Sequence, residues 1–104
     1  MNSIAFDVSE TITKYPKQCF ILAEALFKQG WKIYILSPNE ISTIHRDLND
    51  AGFTAIDYEI LNTGHKGETC LQKDITILLD DNVDYLNQIF KFNATTMPLQ
   101  VLRK

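Results

Sequence analysis

Short apolar runs alternate along the chain with segments in which apolar residues recur every three or four positions. The runs have the length and near-continuous apolar character of buried strands, and the three-and-four spacing places apolar side chains on one face of a helix. This pattern predicts strands at 4–8, 31–37, 53–61, 75–81 and 95–102. It predicts helices at 17–29, 39–52, 68–72 and 82–92.

Local signals predict the ends of two helices and the buried face of a third. Gly30 and Gly52 end the first two helices, because glycine favours the left-handed conformation found after a last helical turn. Asn39 or Ser42 is expected to cap the start of the second helix. The residues predicted to face inward from the last helix are Val83, Leu86 and Phe90.

The alternation of strands and helices predicts the fold class. Strands separated by helices pair in parallel through right-handed crossovers, and continuous apolar strands fit a sheet that is covered on both faces. We therefore expect one α/β domain over residues 1–104, a three-layer Rossmann-like sandwich around a central parallel sheet of about five strands. Pro98 cannot donate a hydrogen bond to a ladder, so the last strand is expected at an edge.

Composition narrows the functional classes. The 104 residues carry a formal net charge of −3, and lysine and arginine form no basic run, which argues against a nucleic-acid surface. No apolar run approaches the ~20 residues that span a bilayer, and the N terminus lacks the pattern of a signal peptide. A cytoplasmic protein is therefore expected. Cys19 and Cys70 are too few for a disulfide framework and are expected to be buried, reduced thiols.

Polar side chains gather at the carboxyl ends of the predicted strands, where the sites of open parallel sheets lie. They are Asp7, Ser9 and Thr11 after the first strand, Ser37 after the second, and Asp80 and Asp81 after the fourth, with Lys66 in the preceding loop. Clustered carboxylates repel one another unless a cation lies between them, and their oxygen atoms suit Mg²⁺. The Ser37 hydroxyl and the Lys66 ammonium group would then hold the oxygen atoms of a phosphoryl group.

The order of these residues resembles the haloacid dehalogenase superfamily of phosphohydrolases. "AFDVSETIT" resembles the first motif of that family, Asp-x-Asp-x-Thr after an apolar strand, at every position except one. "IYILSPN" looks like the second motif, and "HKGETCLQKDITILLDDNVDYL" looks like the third and fourth motifs together. The resemblance covers nearly the whole chain in the order of the family.

The resemblance implies a role for each of these residues in phosphomonoester hydrolysis. Asp7 would be the nucleophile that forms an aspartyl-phosphate, Ser9 would offer its backbone carbonyl to Mg²⁺, and Thr11 would brace the loop. Ser37 and Lys66 would bind phosphate. The metal site would consist of Asp7, Ser9, Asp80 and Asp81. Asp81 is expected to touch the ion, and Asp80 is expected to support it.

Ser9 is the one departure from the first motif. The family's phosphatases have a second aspartate there, which acts as general acid and base, and such catalysis is typically worth about 10²–10⁴-fold in rate. Serine cannot fill that role, so the expected activity is weak or specialised. His65 is a candidate replacement, although an exposed loop histidine is the simpler interpretation. The alternative is a catalytically inactive domain that keeps the fold and acts as a binding or regulatory module.

The chain leaves no room for the inserted cap domain that many family members carry. Only a short flap fits between the first strand and the first helix, and a brief loop follows the third strand. A capless, open site would enclose a small metabolite poorly. A macromolecular phosphorylated substrate is therefore favoured, or a homo-oligomer or partner protein that closes the site.

Two further alternatives concern the lysine and the fold family. Lys73 competes with Lys66 for the phosphate-binding role because it lies closer to the fourth strand. Lys66 is preferred because the family has a helix between its lysine and the Asp-Asp pair. A response-regulator receiver is excluded by order, since receivers have their acidic pair after the first strand and their lysine after the fifth.

Overall fold

Five strands and four helices alternate along residues 1–102, which are described by the structure, a computed structural model. The last two residues of the predicted domain, 103 and 104, lie outside the described residues. The strands are β1 (Ser3–Phe6), β2 (Lys32–Ser37), β3 (Glu59–Asn62), β4 (Ile77–Asp80) and β5 (Met97–Gln100). The helices are α1 (Pro16–Lys28), α2 (Ile41–Ala51), α3 (Lys66–Lys73) and α4 (Val83–Lys91). A turn that we call the flap, Val8–Ile12, follows β1.

The strands form one parallel sheet in the order β3-β2-β1-β4-β5. This confirms the predicted α/β architecture with a five-stranded parallel sheet. β5 pairs with β4 at one edge, where Pro98 was expected. Within the described range, no helix is long and apolar enough to span a membrane.

Each face of the sheet is covered by one pair of helices, because alternate strand residues point to opposite faces. On one face, α1 and α2 pack against a core that includes Ile4, Phe6, Ile33, Ile35, Cys19, Ala23, Ile44 and Leu48. On the other face, α3 and α4 pack against a core of Ala5, Leu36, Leu78, Cys70, Ile75, Leu86 and Ile89. Both cysteines are buried free thiols, as expected, and burial raises the pKa of each to about 11.

The third strand is shorter than predicted, and the prediction from residue 53 was wrong. After α2, Gly52 adopts a φ of 81°, and the chain continues without strand pairing until Glu59. Phe53 is buried because its ring packs edge-to-face against Phe6 and Phe20, with centroids 5.9 Å and 5.6 Å apart. Its apolar character therefore reflects packing in the core rather than a place in the sheet.

The helices also differ from the predictions in three details. Glu40 is the N-cap of α2 and makes no side-chain capping bond, so neither Asn39 nor Ser42 has that role. α3 begins at Lys66, two residues before the predicted start, so Lys66 lies in its first turn and not in a loop. In α4, Val83 and Phe90 are 49% and 68% exposed. At 100° per residue they lie about 70–90° from the centre of the face that buries Leu86 and Ile89.

β1 ends two residues before the predicted position, at Phe6. The chain turns away from the sheet at Asp7, and Glu10 within the flap has a φ of 61°. A left-handed conformation at a residue other than glycine is uncommon and costs free energy. The flap is thus a tight reversal that keeps Asp7 beside the sheet and leaves Ser9 exposed above it.

Candidate functional site

A cavity of about 150 Å³ lies at the carboxyl ends of β1, β2 and β4. In the sheet, β1 lies between β2 and β4, and the strand order reverses direction between β1 and β4. This reversal is the switch point of the sheet, where ligands of open α/β folds bind. The cavity is lined by Asp7, Ser9, Glu10, Ser37, Pro38, Asn39, Asp80, Asp81, Asn82 and Tyr85.

A fully buried lysine lies beneath this cavity. Lys66 has no exposed surface, and its Nζ lies 2.8 Å from Asp7 Oδ1 and 2.7 Å from Asp80 Oδ2. The same Nζ is 4.3 Å from the centroid of the Tyr85 ring. A buried ammonium group is costly unless carboxylates pair with it, and here two do. Lys66 therefore links the ends of β1 and β4 through charge-assisted hydrogen bonds.

The close packing of α3 against α4 places Lys66 at this point. The Gly67 N–H donates to Gln88 Oε1 at 3.0 Å. A Cβ on Gly67 would lie 2.5 Å from both the Cβ and the carbonyl oxygen of Gln88, so only glycine permits this approach. Gly67 thus sets the position from which the Lys66 side chain reaches Asp7 and Asp80.

Three buried carboxylates form the acidic part of the site. Asp7, Asp80 and Asp81 each offer an oxygen, and these oxygens lie within 4.8 Å of one another. Asp7 Oδ2 accepts a hydrogen bond from Thr11 Oγ1 at 3.3 Å, and Asp80 Oδ1 accepts one from the backbone N–H of Asn82 at 3.0 Å. These bonds hold two of the three carboxylates in fixed orientations.

Burial and neighbouring charges change the titration of Asp7. Burial is the largest cause that raises the pKa of Asp7, to about 7. The Lys66 ammonium opposes this rise, whereas the charge of Asp80 and a hydrogen bond with Asp81 add to it. Three carboxylates lie close together beside one ammonium group, so a bound cation would offset negative charge in the cluster.

The donor set fits a hard divalent cation. Carboxylate oxygens are the ligands that Mg²⁺ prefers, and it typically binds through one or two carboxylates together with water. Three carboxylates with only one ammonium group among them meet that requirement. The buried Asp cluster can therefore hold a metal ion.

An asparagine pair that the sequence analysis did not identify connects the flap to the site. Asn39 Nδ2 donates to Ser9 Oγ at 3.0 Å. Asn62 Nδ2, at the end of β3, donates to the carbonyl oxygens of Asn39 at 2.6 Å and of Ser37 at 2.9 Å. No sequence motif marks this pair. The only available signal was that both residues follow strands whose carboxyl ends meet at one edge.

Ser37 lies at the base of the same cavity. It is fully buried, and its Oγ accepts a hydrogen bond from the backbone N–H of Asn39 at 3.1 Å. Its own hydroxyl proton is therefore available to an acceptor in the cavity. The structure thus gathers all seven residues predicted from the sequence: five line the cavity, and Thr11 and Lys66 contact Asp7 from behind it.

Two other residues considered from the sequence lie away from the cavity lining. Lys73 is exposed at the end of α3, and its Nζ lies 4.0 Å from Glu59 Oε2. His65 is the exposed N-cap residue of α3, and it is not among the residues that line the cavity. The geometry therefore favours Lys66 over Lys73 as the lysine of the site and places His65 outside the cavity lining.

Comparison of the chain with protein-family models, with curated proteins and with solved structures gives no match.

Proposed function

We propose that this protein is a capless, Mg²⁺-dependent phosphohydrolase-like protein of the haloacid dehalogenase type, in which Asp7 accepts the phosphoryl group. The observation that carries the proposal is the buried contact of Lys66 with both Asp7 and Asp80 beside a third carboxylate, at the switch point of a parallel sheet. A cluster of three carboxylates and one ammonium group, with a bound cation, suits phosphoryl transfer. That reaction depends mainly on positioning the phosphoryl group and neutralising its negative charge.

Asp7, Asp81 and the backbone carbonyl of Ser9 would hold Mg²⁺, with Asp80 in support. When bound, the ion would neutralise charge on the phosphoryl oxygens. This assignment keeps Asp80 as the partner of Lys66, to which it is bonded at 2.7 Å.

Contacts within the site support the remaining proposed roles. Thr11 donates to Asp7 Oδ2 and Lys66 donates to Asp7 Oδ1, so both oxygens of the nucleophile are held in place. The Ser37 hydroxyl, whose oxygen accepts a hydrogen bond from the Asn39 N–H, would donate its proton to a phosphoryl oxygen. Asp7 would attack phosphorus to form an aspartyl-phosphate, which water then hydrolyses.

The size of the cavity supports a substrate that extends beyond it. A volume of about 150 Å³ accommodates a phosphoryl group and its nearest atoms, but typical pockets for whole small molecules are about 300–1,000 Å³. The rest of the substrate would lie on the open surface around the flap. We therefore favour a phosphorylated macromolecule, or a second subunit or partner protein that closes the site.

The test is hydrolysis of 4-nitrophenyl phosphate by the purified protein with and without Mg²⁺. Asp7→Asn is the blank, and Asp57→Asn, which changes an exposed carboxylate outside the site, is the matched control. We expect Mg²⁺-dependent release of phosphate that Asp7→Asn abolishes and Asp57→Asn retains. Activity equal to the blank would contradict the phosphohydrolase proposal and favour the binding module.

Binding of the ion gives a second measurement that does not depend on turnover. We expect Mg²⁺ to raise the unfolding temperature of the wild-type protein, because a ligand that binds only the folded state stabilises it. Asp81→Asn should reduce that rise, and Asp57→Asn should not. A rise that is equal in all three proteins would place the bound ion elsewhere.

A further inference from the structure

The cavity contains no fixed acid on the side of the flap. Ser9 occupies that side, and its Oγ accepts a hydrogen bond from Asn39, which is itself held by Asn62. The hydroxyl can still donate a hydrogen bond, but an alcohol is too weak an acid to serve as a general acid near neutral pH. The three aspartates are engaged with Lys66 and with one another at the base of the site.

Glu10 is the remaining carboxylate that lines the cavity, and its position is unsuited to proton transfer. Its side chain is exposed, and within residues 1–102 no hydrogen bond or ion pair fixes that side chain. General acid catalysis requires a donor within hydrogen-bond reach of the leaving oxygen in a defined orientation. Only the backbone of Glu10 is held, through its N–H to Thr13 Oγ1 at 3.0 Å.

We propose, on the basis of the proposed function, that the site is selective for phosphoryl groups whose leaving oxygen departs as a stable anion. Acyl phosphates, phosphoanhydrides and phosphate esters of acidic phenols belong to this class, and phosphate esters of ordinary alcohols do not. Selectivity arises because an alkoxide needs a proton as it leaves, whereas a carboxylate, a phosphate or a nitrophenolate does not.

The reaction balances without an acid from the protein. The Asp7 oxygen forms a bond to phosphorus as the bond from phosphorus to the leaving oxygen breaks, and the leaving oxygen keeps the electron pair. A water molecule then forms a bond to phosphorus as the bond to Asp7 breaks. Inorganic phosphate departs, the Asp7 carboxylate is regenerated, and the proton of the water passes to solvent.

The test is a series of substrates of rising leaving-group basicity: acetyl phosphate, 4-nitrophenyl phosphate, phenyl phosphate and an alkyl phosphate. We expect kcat/KM of the wild-type protein to fall steeply along the series. Ser9→Asp should restore activity mainly toward the alkyl phosphate, by up to the ~10²–10⁴-fold that a general acid typically contributes. Glu10→Gln is the matched variant at the neighbouring position, and it should leave the decrease in kcat/KM along the series unchanged.

The outcomes separate this inference from the function on which it rests. Turnover above the Asp7→Asn blank with equal rates along the series would overturn the selectivity and leave the phosphohydrolase intact. A steeper decrease in kcat/KM along the series for Glu10→Gln would also overturn the proposed selectivity, because Glu10 would then be the general acid. No turnover of any substrate above the blank would overturn both proposals, provided that circular dichroism shows the proteins to be folded.

Discussion

Replacing Lys66 by methionine removes the ammonium group between Asp7 and Asp80 and keeps an unbranched chain of similar length. The variant retains the packing of the stem and loses two contacts, of 2.7 Å and 2.8 Å, at a side chain with no exposed surface. It also loses the contact with the ring of Tyr85. What remains is a pair of buried carboxylates without their cation.

The loss in free energy of unfolding in Lys66→Met depends on Asp7 and Asp80, which remain buried without the ammonium group. Removing one partner of a buried ion pair typically destabilises a protein by about 3–5 kcal/mol, because the remaining charge is desolvated and uncompensated. A domain of this length has a free energy of unfolding of about 5–15 kcal/mol, so the loss is a large fraction of the total. The corresponding decrease in unfolding temperature is roughly 12–25 °C.

The penalty should depend on pH in a definite direction. Without Lys66, the cause that lowers the pKa of Asp7 is removed, so that pKa rises further above its value in the unfolded chain. The folded variant then holds protons that the unfolded chain releases, and its stability falls as the pH rises. We expect the difference between the variant and the wild type to be smaller at pH 5 than at pH 8.

Urea unfolding followed by circular dichroism and by the fluorescence of the single tryptophan, Trp31, measures this difference. Lys73→Met is the matched control, because Lys73 is exposed and its pair with Glu59 at 4.0 Å should be worth less than about 1 kcal/mol. The double variant Lys66→Met/Asp80→Asn should recover part of the loss. Equal midpoints for Lys66→Met and the wild type, or a penalty that is independent of pH, would refute the electrostatic reasoning.

Two further substitutions test the charge and the packing of the site. Because the pKa of Asp7 is raised to about 7 in the fold, its contribution is stabilising below about pH 4 and is lost as the pH rises toward 7. Asp7→Asn cannot ionise, so its urea midpoint relative to that of the wild-type protein, measured without metal, should rise as the pH is raised from 4 to 8, whereas that of Asp57→Asn should not; a difference that falls or stays constant over this range would contradict this sign. Gly67→Ala should cost about 1–3 kcal/mol, because its Cβ would lie 2.5 Å from Gln88. Gly64→Ala, whose Cβ has no neighbour closer than 3.7 Å, is the control, and equal midpoints for the two alanine variants would rule out this packing argument.

The residues that gather at the site were predictable because parallel strands end at a common edge. The apolar runs before Asp7, Ser37 and Asp80 identified three strands, and the register of those strands brings their ends together. Lys66 was predictable only through the order of the motifs. Its burial depends on the approach of α3 to α4, which periodicity does not reveal.

Other features depend on tertiary contacts that no local pattern encodes. Asn39 looks like a helix cap in sequence, but its side chain bonds to Ser9 on a different part of the chain. Phe53 looks like the start of a strand because a residue packed between two aromatic rings is as apolar as a strand residue. In both cases the deciding partner lies more than 25 residues away, beyond the window in which a periodic pattern is read.

The position of Lys66 has a consequence for the order in which the chain folds. Asp7 and Lys66 are 59 positions apart in sequence, and the chain between β1 and β4 contains β2, β3 and the helices α1, α2 and α3. Contacts between such distant residues form late, because closing a long loop costs entropy before the contact is gained. The carboxylates would therefore stay hydrated until most of the apolar surface is buried. A probe of the contact between Lys66 and Asp7 would report the completion of folding, and the folding nucleus would lie elsewhere in the sheet.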